Sequence, residues 1–319
     1  MPYPIENKFV IAISASALFD TRDDDRVFRE EGVETYKQYQ NDHEHTIYKP
    51  GFAFDFIVKF LQLNKVLEGD PVEVVLFTRN SPDLGTRIME SIKHYKLSIC
   101  RTCFSSGEYN YKYLPAFNAC LFLSCNEEHT RAAMKAGFAA GTVIPQTPTD
   151  EYVKDTSEEL RFAFDFDGVI ADDSSEQRYN ANGKQLSLYF NDEEMDAQKP
   201  LDWGPMKDLL QQISKLQQLE EEKYRQDPSY LKKVKISLVT ARNAPADERV
   251  ITTLKEMEIK MDMAFFMGGI DKARVINIMK PHIYFDDDIK NLQNLKDVAA
   301  VHIPFGVVNE PNAESAKQE

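Results

Sequence analysis

The feature that most constrains this fold is a pattern of strand-like segments that occurs twice along the chain, at one fixed separation. The matched pairs are Thr78 and Thr240, Gly107 and Gly269, and Ser124 and Asp286. We call the distance along the chain from Thr78 to Thr240 the repeat separation. A separation shared by three distant elements predicts an internal duplication. From Ser14 to Asp165, near the start of each half, the distance is shorter, which predicts an insertion in the charged helical stretch around Lys215–Lys233.

Apolar strand-like segments alternate with segments of helical period in both halves. This alternation predicts βαβ units and a parallel sheet, so the expected fold class is α/β with two tandem Rossmann-like sheets. The predicted strands are 8–14, 72–78, 99–104, 119–124 and 140–144 in the first half, and 161–166, 234–240, 262–267, 282–286 and 299–303 in the second.

The domain boundaries follow from a polar stretch with two prolines between the halves. We predict a first domain over 1–147, a linker over 148–160, a second domain over 161–308 and a flexible tail over 309–319.

Composition narrows the class of partner. The chain carries 38 Lys and Arg against 52 Asp and Glu, a net charge of −14, which argues against a nucleic-acid polymer as partner. No apolar run approaches the ~20 residues of a membrane span, and the N-terminal residues lack the pattern of a signal peptide. The four cysteines, including the pair Cys100 and Cys103, fit reduced thiols better than a zinc site. We therefore expect a cytoplasmic protein with no membrane partner.

Two carboxylates follow the apolar stretch that starts at Phe162. Asp165 and Asp167 stand one residue apart, and Gly168 allows the chain to turn away. Ligands of open parallel sheets bind beyond the carboxyl ends of the strands, so these acids are expected at a ligand site. Oxygen ligands of this kind suit Mg²⁺. The alternative is a solvated acidic turn.

Comparison of the halves argues against that alternative, because the ionisable groups are confined to one copy. The second half carries Asp165, Asp167, Lys272, Asp286, Asp287 and Asp288 where the first carries Ser14, Ser16, Asn110, Ser124, Cys125 and Asn126. A structural role for the acids predicts no such segregation. Among these strand-end side chains only the threonines, Thr78 and Thr240, are common to both halves, so the first half is predicted to be a degenerate copy without chemistry of its own.

The second-half groups together suit phosphoryl transfer through an aspartyl-phosphate. One carboxylate attacks phosphorus, a second carboxylate moves the proton, and a hydroxyl and a lysine hold phosphate oxygens. Arg242 and Asn243, just after Thr240, are candidates for contacting phosphate or ribose, although a role at a helix start explains them equally well.

These motifs resemble those of the haloacid-dehalogenase-like phosphohydrolases. The resemblance implies that Asp165 is the nucleophile, Asp167 the general acid and base, and Thr240 and Lys272 the phosphate ligands. It also implies a Mg²⁺ site formed by Asp165, the Asp167 carbonyl group and Asp287, with Asp286 close by. In this superfamily the segment after the first motif forms a cap over the substrate, here a small helical cap at roughly 172–203.

The resemblance is closer to the cytosolic type I 5′-nucleotidases and extends nearly end to end. The stretches that carry it are GVETYKQYQNDHE (32–44), SIKHYKLSICR (91–101), KPLDWGPMKDLL (199–210), SLVTARNA (237–244), KPHIYFDDD (280–288) and AAVHIPFGV (299–307). It implies Mg²⁺-dependent hydrolysis of nucleoside 5′-monophosphates, notably AMP. One departure is Phe166, since members of that family carry Asp-Gly-Asp where this chain has Asp165-Phe166-Asp167.

Two other functions stay open from the sequence. One is a phosphatase for another small phosphomonoester, such as a sugar phosphate, and the other is a nucleotide-binding regulator without turnover. The complete set of Asp165, Asp167, Thr240, Lys272 and Asp287 favours an enzyme over a regulator. The sequence leaves base preference, effectors and homo-oligomer formation open.

Overall fold

The computed structural model describes residues 3–146 and 155–310. Its internal contacts divide the chain into two compact units, Met1–Leu160 with Leu216–Lys233, and Arg161–Lys215 with Val234–Glu319. Residues 148–154 of the predicted linker and 311–319 of the predicted tail lie outside the described residues. The domain boundaries therefore stay predictions.

The first unit is built on five parallel strands in the order β3-β2-β1-β4-β5. Every residue of β1 and β2 is buried, as expected for parallel strands covered on both faces by helices. The strands are β1 (Phe9–Ser14), β2 (Val72–Thr78), β3 (Arg101–Phe104), β4 (Ala119–Ser124) and β5 (Ala140–Val143).

Helices follow the strands of this unit along the chain. They are α1 (Ala15–Leu18), α2 (Arg22–Asp42), α3 (Phe54–Gln62), α4 (Thr86–His94) and α5 (Glu127–Lys135), with 3₁₀ turns at Ile5–Asn7, Leu63–Lys65, Pro82–Leu84 and Tyr111–Phe117. α2 is interrupted at Gly32, where φ is +86°. Glycine adopts that conformation without steric cost, which permits the break.

The second unit has strands in the order β10-β9-β6-β7-β8, and the pairs β10–β9, β6–β9 and β7–β8 are parallel. The strands are β6 (Leu160–Phe164), β7 (Val234–Thr240), β8 (Met263–Phe266), β9 (Ile283–Asp286) and β10 (Ala299–His302). Numbered within each unit by position along the chain, the strands of both units have the same order, with the first strand at the centre between the second and the fourth.

Five helices belong to this part of the sequence. They are α6 (Ser174–Ala181), α7 (Leu186–Met195), α8 (Lys207–Gln226), α9 (Asp247–Glu256) and α10 (Ala273–Met279), with 3₁₀ turns at Ile289–Leu292 and Val307–Asn309. α6 and α7 occupy the segment predicted as a cap. The division into units passes through α8, whose residues from Leu216 onward group with the first unit.

The prediction of an α/β fold with parallel strands is confirmed, and all ten predicted strands are present within about two residues of their predicted ends. One difference affects the site, because β6 ends at Phe164 and not at residue 166. The Phe166 carbonyl oxygen accepts the N–H groups of Ile170 and Ala171 at 3.0 and 2.9 Å, so the chain already turns there. Within the described residues, no helix is both long and apolar enough to cross a membrane.

Candidate active site

Three neighbouring strands of the second unit end at the predicted site. β6 lies between β9 and β7 in the sheet, and all three lead into polar residues at their carboxyl ends. Asp165 follows β6 directly, Asp286 is the last residue of β9, and Thr240 is the last residue of β7. This edge is where ligands of open α/β sheets bind.

The backbone of the turn after β6 lies close to Asp287, the acid that follows β9. Gly168 has φ +70°, and a Cβ atom added to it would lie 2.5 Å from Asp287 Oδ2. Only glycine fits this close approach without a shift. The Phe166 N–H donates to Asp165 Oδ1 at 2.7 Å, which fixes the direction of that carboxylate.

Lys272 connects the two strands through its ammonium group. Its Nζ lies 2.6 Å from Asp165 Oδ2 and 2.8 Å from Asp286 Oδ2, and all three side chains are buried. Burial alone would lower the pKa of Lys272, but the charges of Asp165 and Asp286 outweigh it and raise that pKa. The lysine therefore stays charged among the acids.

Asp286 accepts hydrogen bonds from several donors, of which Tyr284 and Asn291 were not predicted from the sequence. Its carboxylate accepts the Tyr284 hydroxyl, the Asp288 N–H at 2.9 Å and the Asn291 amide at 3.0 and 3.2 Å, besides Lys272. Tyr284 is fully buried, and burial followed by the charge of Asp286 raises its pKa well above the usual value. Hydrogen bonds therefore occupy the oxygens of Asp286, so this side chain positions its neighbours more than it provides free ligand oxygens.

Asp287 differs from its neighbour because none of the described residues donates a hydrogen bond to its carboxylate. It is 7% exposed. Single oxygens of Asp165, Asp286 and Asp287 lie within 4.8 Å of one another, a spacing that can hold a metal ion. Burial first, then the charges of Asp165 and Asp286, raise the pKa of Asp287 well above its usual value. Burial likewise raises the pKa of Asp165, and Lys272 only partly offsets the effect.

The predicted ligands after β7 take up different positions. Thr240 is buried, and its Oγ1 accepts the Arg242 N–H at 3.2 Å. Asn243 is exposed, and its side chain lies beside Gly268. Thr240 thus stands at the strand end with the acids, and Asn243 at the surface next to it.

Arg242 pairs with Asp167. Its Nε and Nη2 donate to Asp167 Oδ2 and Oδ1 at 2.8 and 2.7 Å, a two-bond fork that favours arginine over lysine. Burial would lower the pKa of Arg242, but Asp167 raises it by charge and by hydrogen bonding. The role of Arg242 as a substrate ligand stays a prediction, because this arrangement engages the side chain with protein groups.

Sequence reasoning missed a second buried ion-pair cluster next to Asp167. Glu193 of α7 accepts from Arg242 and from Arg249 of α9, and its side chain is 1% exposed. Arg249 stands one repeat separation after Arg87 of α4, so the repeat contained a signal for it. Glu193 stands at neither the repeat separation nor the shorter one from Asp24, the acid that pairs with Arg87 in the first unit, so the repeat does not point to it.

Known proteins match almost the whole chain. A model of the 5′-nucleotidase family matches residues 1–310. Cytosolic 5′-nucleotidase 1B of Homo sapiens is 33% identical over 311 residues, which cover 94% of this chain and 50% of that protein. The chain therefore spans about half the length of this curated relative.

Among solved structures, histidinol dehydrogenase from Elizabethkingia anophelis aligns with 92% of this chain and 52% of its own, at 8% identity and a TM-score of 0.23. That score carries no argument about fold or function. The family model and the human relative do, because both cover nearly all of the sequence, and the chain belongs to the 5′-nucleotidase family.

Proposed function

We propose that this chain is a Mg²⁺-dependent 5′-nucleotidase that hydrolyses nucleoside 5′-monophosphates of the AMP type to nucleoside and phosphate. The observation that carries the proposal is the buried set of Asp165, Lys272, Asp286 and Asp287 at one sheet edge. Family membership supports the substrate class. A regulator without turnover would have no need of a carboxylate held ready beside a lysine.

The residues present fit a hard divalent cation. Three buried carboxylates bring oxygens within 4.8 Å of one another, and Asp287 has no hydrogen-bond donor among the described residues. Burial first, and after it the charge of neighbouring carboxylates, raises the pKa values of Asp165 and Asp287, and a bound cation would favour the ionised form of both. Asp165, the Asp167 carbonyl oxygen and Asp287 would hold Mg²⁺, with Asp286 close by. When bound, the ion would offset negative charge on the phosphate and on the attacking carboxylate.

The protein residues then divide the chemistry among them. An Asp165 carboxylate oxygen attacks phosphorus, the bond from phosphorus to the 5′-oxygen breaks, and Asp167 gives that oxygen its proton. Water next attacks the phosphorus of the aspartyl-phosphate, Asp167 takes a proton from that water, and the bond from phosphorus to the Asp165 oxygen breaks to release phosphate. Lys272 stabilises charge on the phosphoryl oxygens, and the Thr240 hydroxyl donates to one of them. Asn243 is proposed for ribose or phosphate contact from the adjacent surface.

The two units are proposed to be copies, the first without chemistry. The shared strand order supports this, as does a repeated hydrogen bond. The Tyr48 N–H donates to Ser91 Oγ at 3.0 Å in the first unit, and the Leu201 N–H donates to Thr253 Oγ1 at 3.1 Å in the second. Ser91 and Thr253 stand one repeat separation apart.

The segment 172–203, with α6 and α7, is proposed as the substrate cap, and residues 1–147 and 161–308 as the two domains. A cytoplasmic location is proposed as well. The word cytosolic in the name of the human relative supports it, and so do the four cysteines, all of which are free thiols.

The test is a phosphate-release assay with Mg²⁺ over AMP, IMP, CMP, UMP, their deoxy forms and a panel of sugar phosphates. We expect release from nucleotides above all, and none from any substrate by Asp165→Asn. Preference for a sugar phosphate would replace the nucleotidase by a general phosphomonoesterase. Nucleotide binding without release of phosphate would replace it by a regulator.

A further inference from the structure

Glu193 is a buried carboxylate that the proposed reaction does not use. It accepts one hydrogen bond from Arg242 Nη1, one from Arg249 Nη1 at 3.1 Å and one from the Ser175 hydroxyl at 2.8 Å. A carboxylate removed from water is strongly unfavourable unless ion pairs and hydrogen bonds compensate for it. Two guanidinium groups therefore fix Glu193, and with it α7.

The guanidinium of Arg242 lies between this carboxylate and the site. One edge donates to both oxygens of Asp167, and the other edge donates to Glu193 and, at 3.4 Å, to the Ala246 carbonyl oxygen. Four of its five N–H groups are thus in use. This occupancy leaves little of Arg242 for a substrate phosphate.

Two aromatic rings also lie close to the guanidinium group of Arg242. The Phe166 ring centroid lies 5.2 Å from Arg242 Cζ, and the Tyr189 centroid lies 5.9 Å from it. Tyr189 and Glu193 stand four residues apart on α7, so they share one face of that helix. α7 therefore contacts Arg242 through both an aromatic ring and a carboxylate.

We propose that Glu193 and Arg242 are positioning residues for Asp167, through which α7 sets the direction of the carboxyl group that protonates the leaving oxygen. This rests on the proposed function. Because the two-bond fork ties both Asp167 oxygens to one guanidinium, a turn of the guanidinium turns the carboxylate. Loss of the Glu193 charge frees the opposite edge of Arg242 and loosens Asp167 without removing any group that touches phosphate.

Two substrates that differ only in the bridging atom isolate this effect. AMP expels an alkoxide that needs a proton, whereas the analogue with sulfur in place of the 5′-oxygen expels a thiolate, which needs little help because thiols are far more acidic than alcohols. Single-turnover release of the nucleoside or thionucleoside reports only the first chemical step. We expect Glu193→Gln to slow release from AMP about 100-fold and release from the sulfur analogue less than about 10-fold.

The first unit offers a matched control. Asp24 is also a buried carboxylate, and it accepts from Arg87 Nη1 at 3.0 Å and from Gln40 at 2.7 Å. Asp24→Asn thus makes the same kind of chemical change at a buried ion pair of the first unit. We expect it to lower the melting temperature as Glu193→Gln does, while the release rates from both substrates stay at the wild-type values.

Arg242→Lys serves as the second variant if Glu193→Gln does not fold. Lysine keeps a positive charge beside Asp167 but loses the two-bond fork, so the same selective loss with AMP is expected. Equal losses on both substrates, or no loss, would overturn the inference while leaving the nucleotidase assignment intact. A wild-type protein that releases no nucleoside from AMP would overturn the assignment and this inference with it.

Discussion

At the carboxyl edge of its sheet, the first unit has neutral side chains where the second unit has charged ones. The equivalent positions are Ser14 and Asp165, Asn110 and Lys272, and Ser124 and Asp286. Ser14 Oγ lies 2.9 Å from Ser16 Oγ and accepts the Ala17 N–H at 3.2 Å, so it caps the short helix that follows β1. Side chains at equivalent strand ends can thus hydrogen-bond to the local backbone, as in the first unit, or form a cluster of charged groups, as in the second.

The arginines after the second strand of each unit behave in the opposite way, because both units keep them. Arg87 Nε donates to the Thr46 carbonyl oxygen at 2.9 Å, and Arg249 Nε donates to the Lys199 carbonyl oxygen at 2.9 Å. Each arginine also pairs with a buried acid of the segment after the first strand. The shared arginines therefore serve packing, whereas the charged strand-end groups that only the second unit carries are the ones proposed for chemistry.

The largest expected effect comes from substitutions at the strand ends, where the two units differ. Asp165→Asn should lower kcat by at least about 10⁴-fold, because the amide keeps the shape but cannot attack phosphorus. Ser14→Ala, at the equivalent position, should leave kcat and KM unchanged. The measurement is steady-state hydrolysis of AMP by both purified variants. Appreciable turnover by Asp165→Asn, or a comparable loss in Ser14→Ala, contradicts the division of labour.

Removal of divalent cations should have the next largest effect. After exhaustive dialysis against EDTA we expect no turnover, and Mg²⁺ should restore it. Added Mg²⁺ should also raise the melting temperature. At a concentration near 100 times Kd, its binding should add about 3 kcal/mol to the free energy of unfolding. Asp287→Asn is the control, because it removes the carboxylate that accepts no hydrogen bond from the described residues. This variant should show neither the recovery of turnover nor the rise in melting temperature when Mg²⁺ is added. Full activity in excess EDTA would rule the metal site out.

Much of the site could be predicted from sequence because the informative residues stand at fixed places in a repeat. Apolar segments located the strands, and the contrast between copies located Asp165, Lys272, Asp286 and Asp287. The turn at Phe166 was missed because an aromatic residue after an apolar run looks like more strand. Only its backbone hydrogen bonds show that the strand has ended.

The contacts of Arg242 could not be predicted from the sequence for a different reason. They depend on where α7 packs in the segment between the first and second strands, and there Glu193 stands at neither the repeat separation nor the shorter one from Asp24, the acid that pairs with Arg87. No separation along the chain therefore connects Glu193 to Asp167. Side-chain partners across such a segment follow from tertiary packing, which neither periodicity nor the repeat encodes.

The two retained arginines provide a comparison of stability. Arg87→Met should lower the free energy of unfolding by about 3–5 kcal/mol, because Asp24 is left buried with Gln40 and Tyr48 as its remaining partners among the described residues. Arg249→Met should cost less, about 1–3 kcal/mol, because Arg242 still pairs with Glu193. Urea unfolding followed by circular dichroism measures both. A larger loss for Arg249→Met than for Arg87→Met would contradict the interpretation that Arg242 and Arg249 both offset the buried charge of Glu193.

The smallest expected effect concerns a histidine of the first unit, His129 on α5. The position one repeat separation later is Asn291, which donates to Asp286 in the second unit. His129 is buried, and its Nε2 lies 2.8 Å from Arg79 Nη1, so the neutral ring accepts a hydrogen bond from the guanidinium. Burial first, and the charge of Arg79 second, lower the pKa of His129 to about 4.

The unfolded chain binds a proton at His129 below a pH of about 6.5, whereas the folded chain does so only below about 4. Between these values the unfolded state binds more protons, so the contribution of His129 to stability is complete above about pH 6.5 and is lost as pH falls toward 4. His129→Asn, which installs the residue of the second unit, should remove that loss. From pH 7.5 to 5.0 the wild type should lose about 1–2 kcal/mol more than the variant, while contributions from other titrating groups cancel between the two proteins. Urea midpoints at both pH values measure the difference, and parallel losses would show that His129 is protonated in the folded protein as easily as in the unfolded chain.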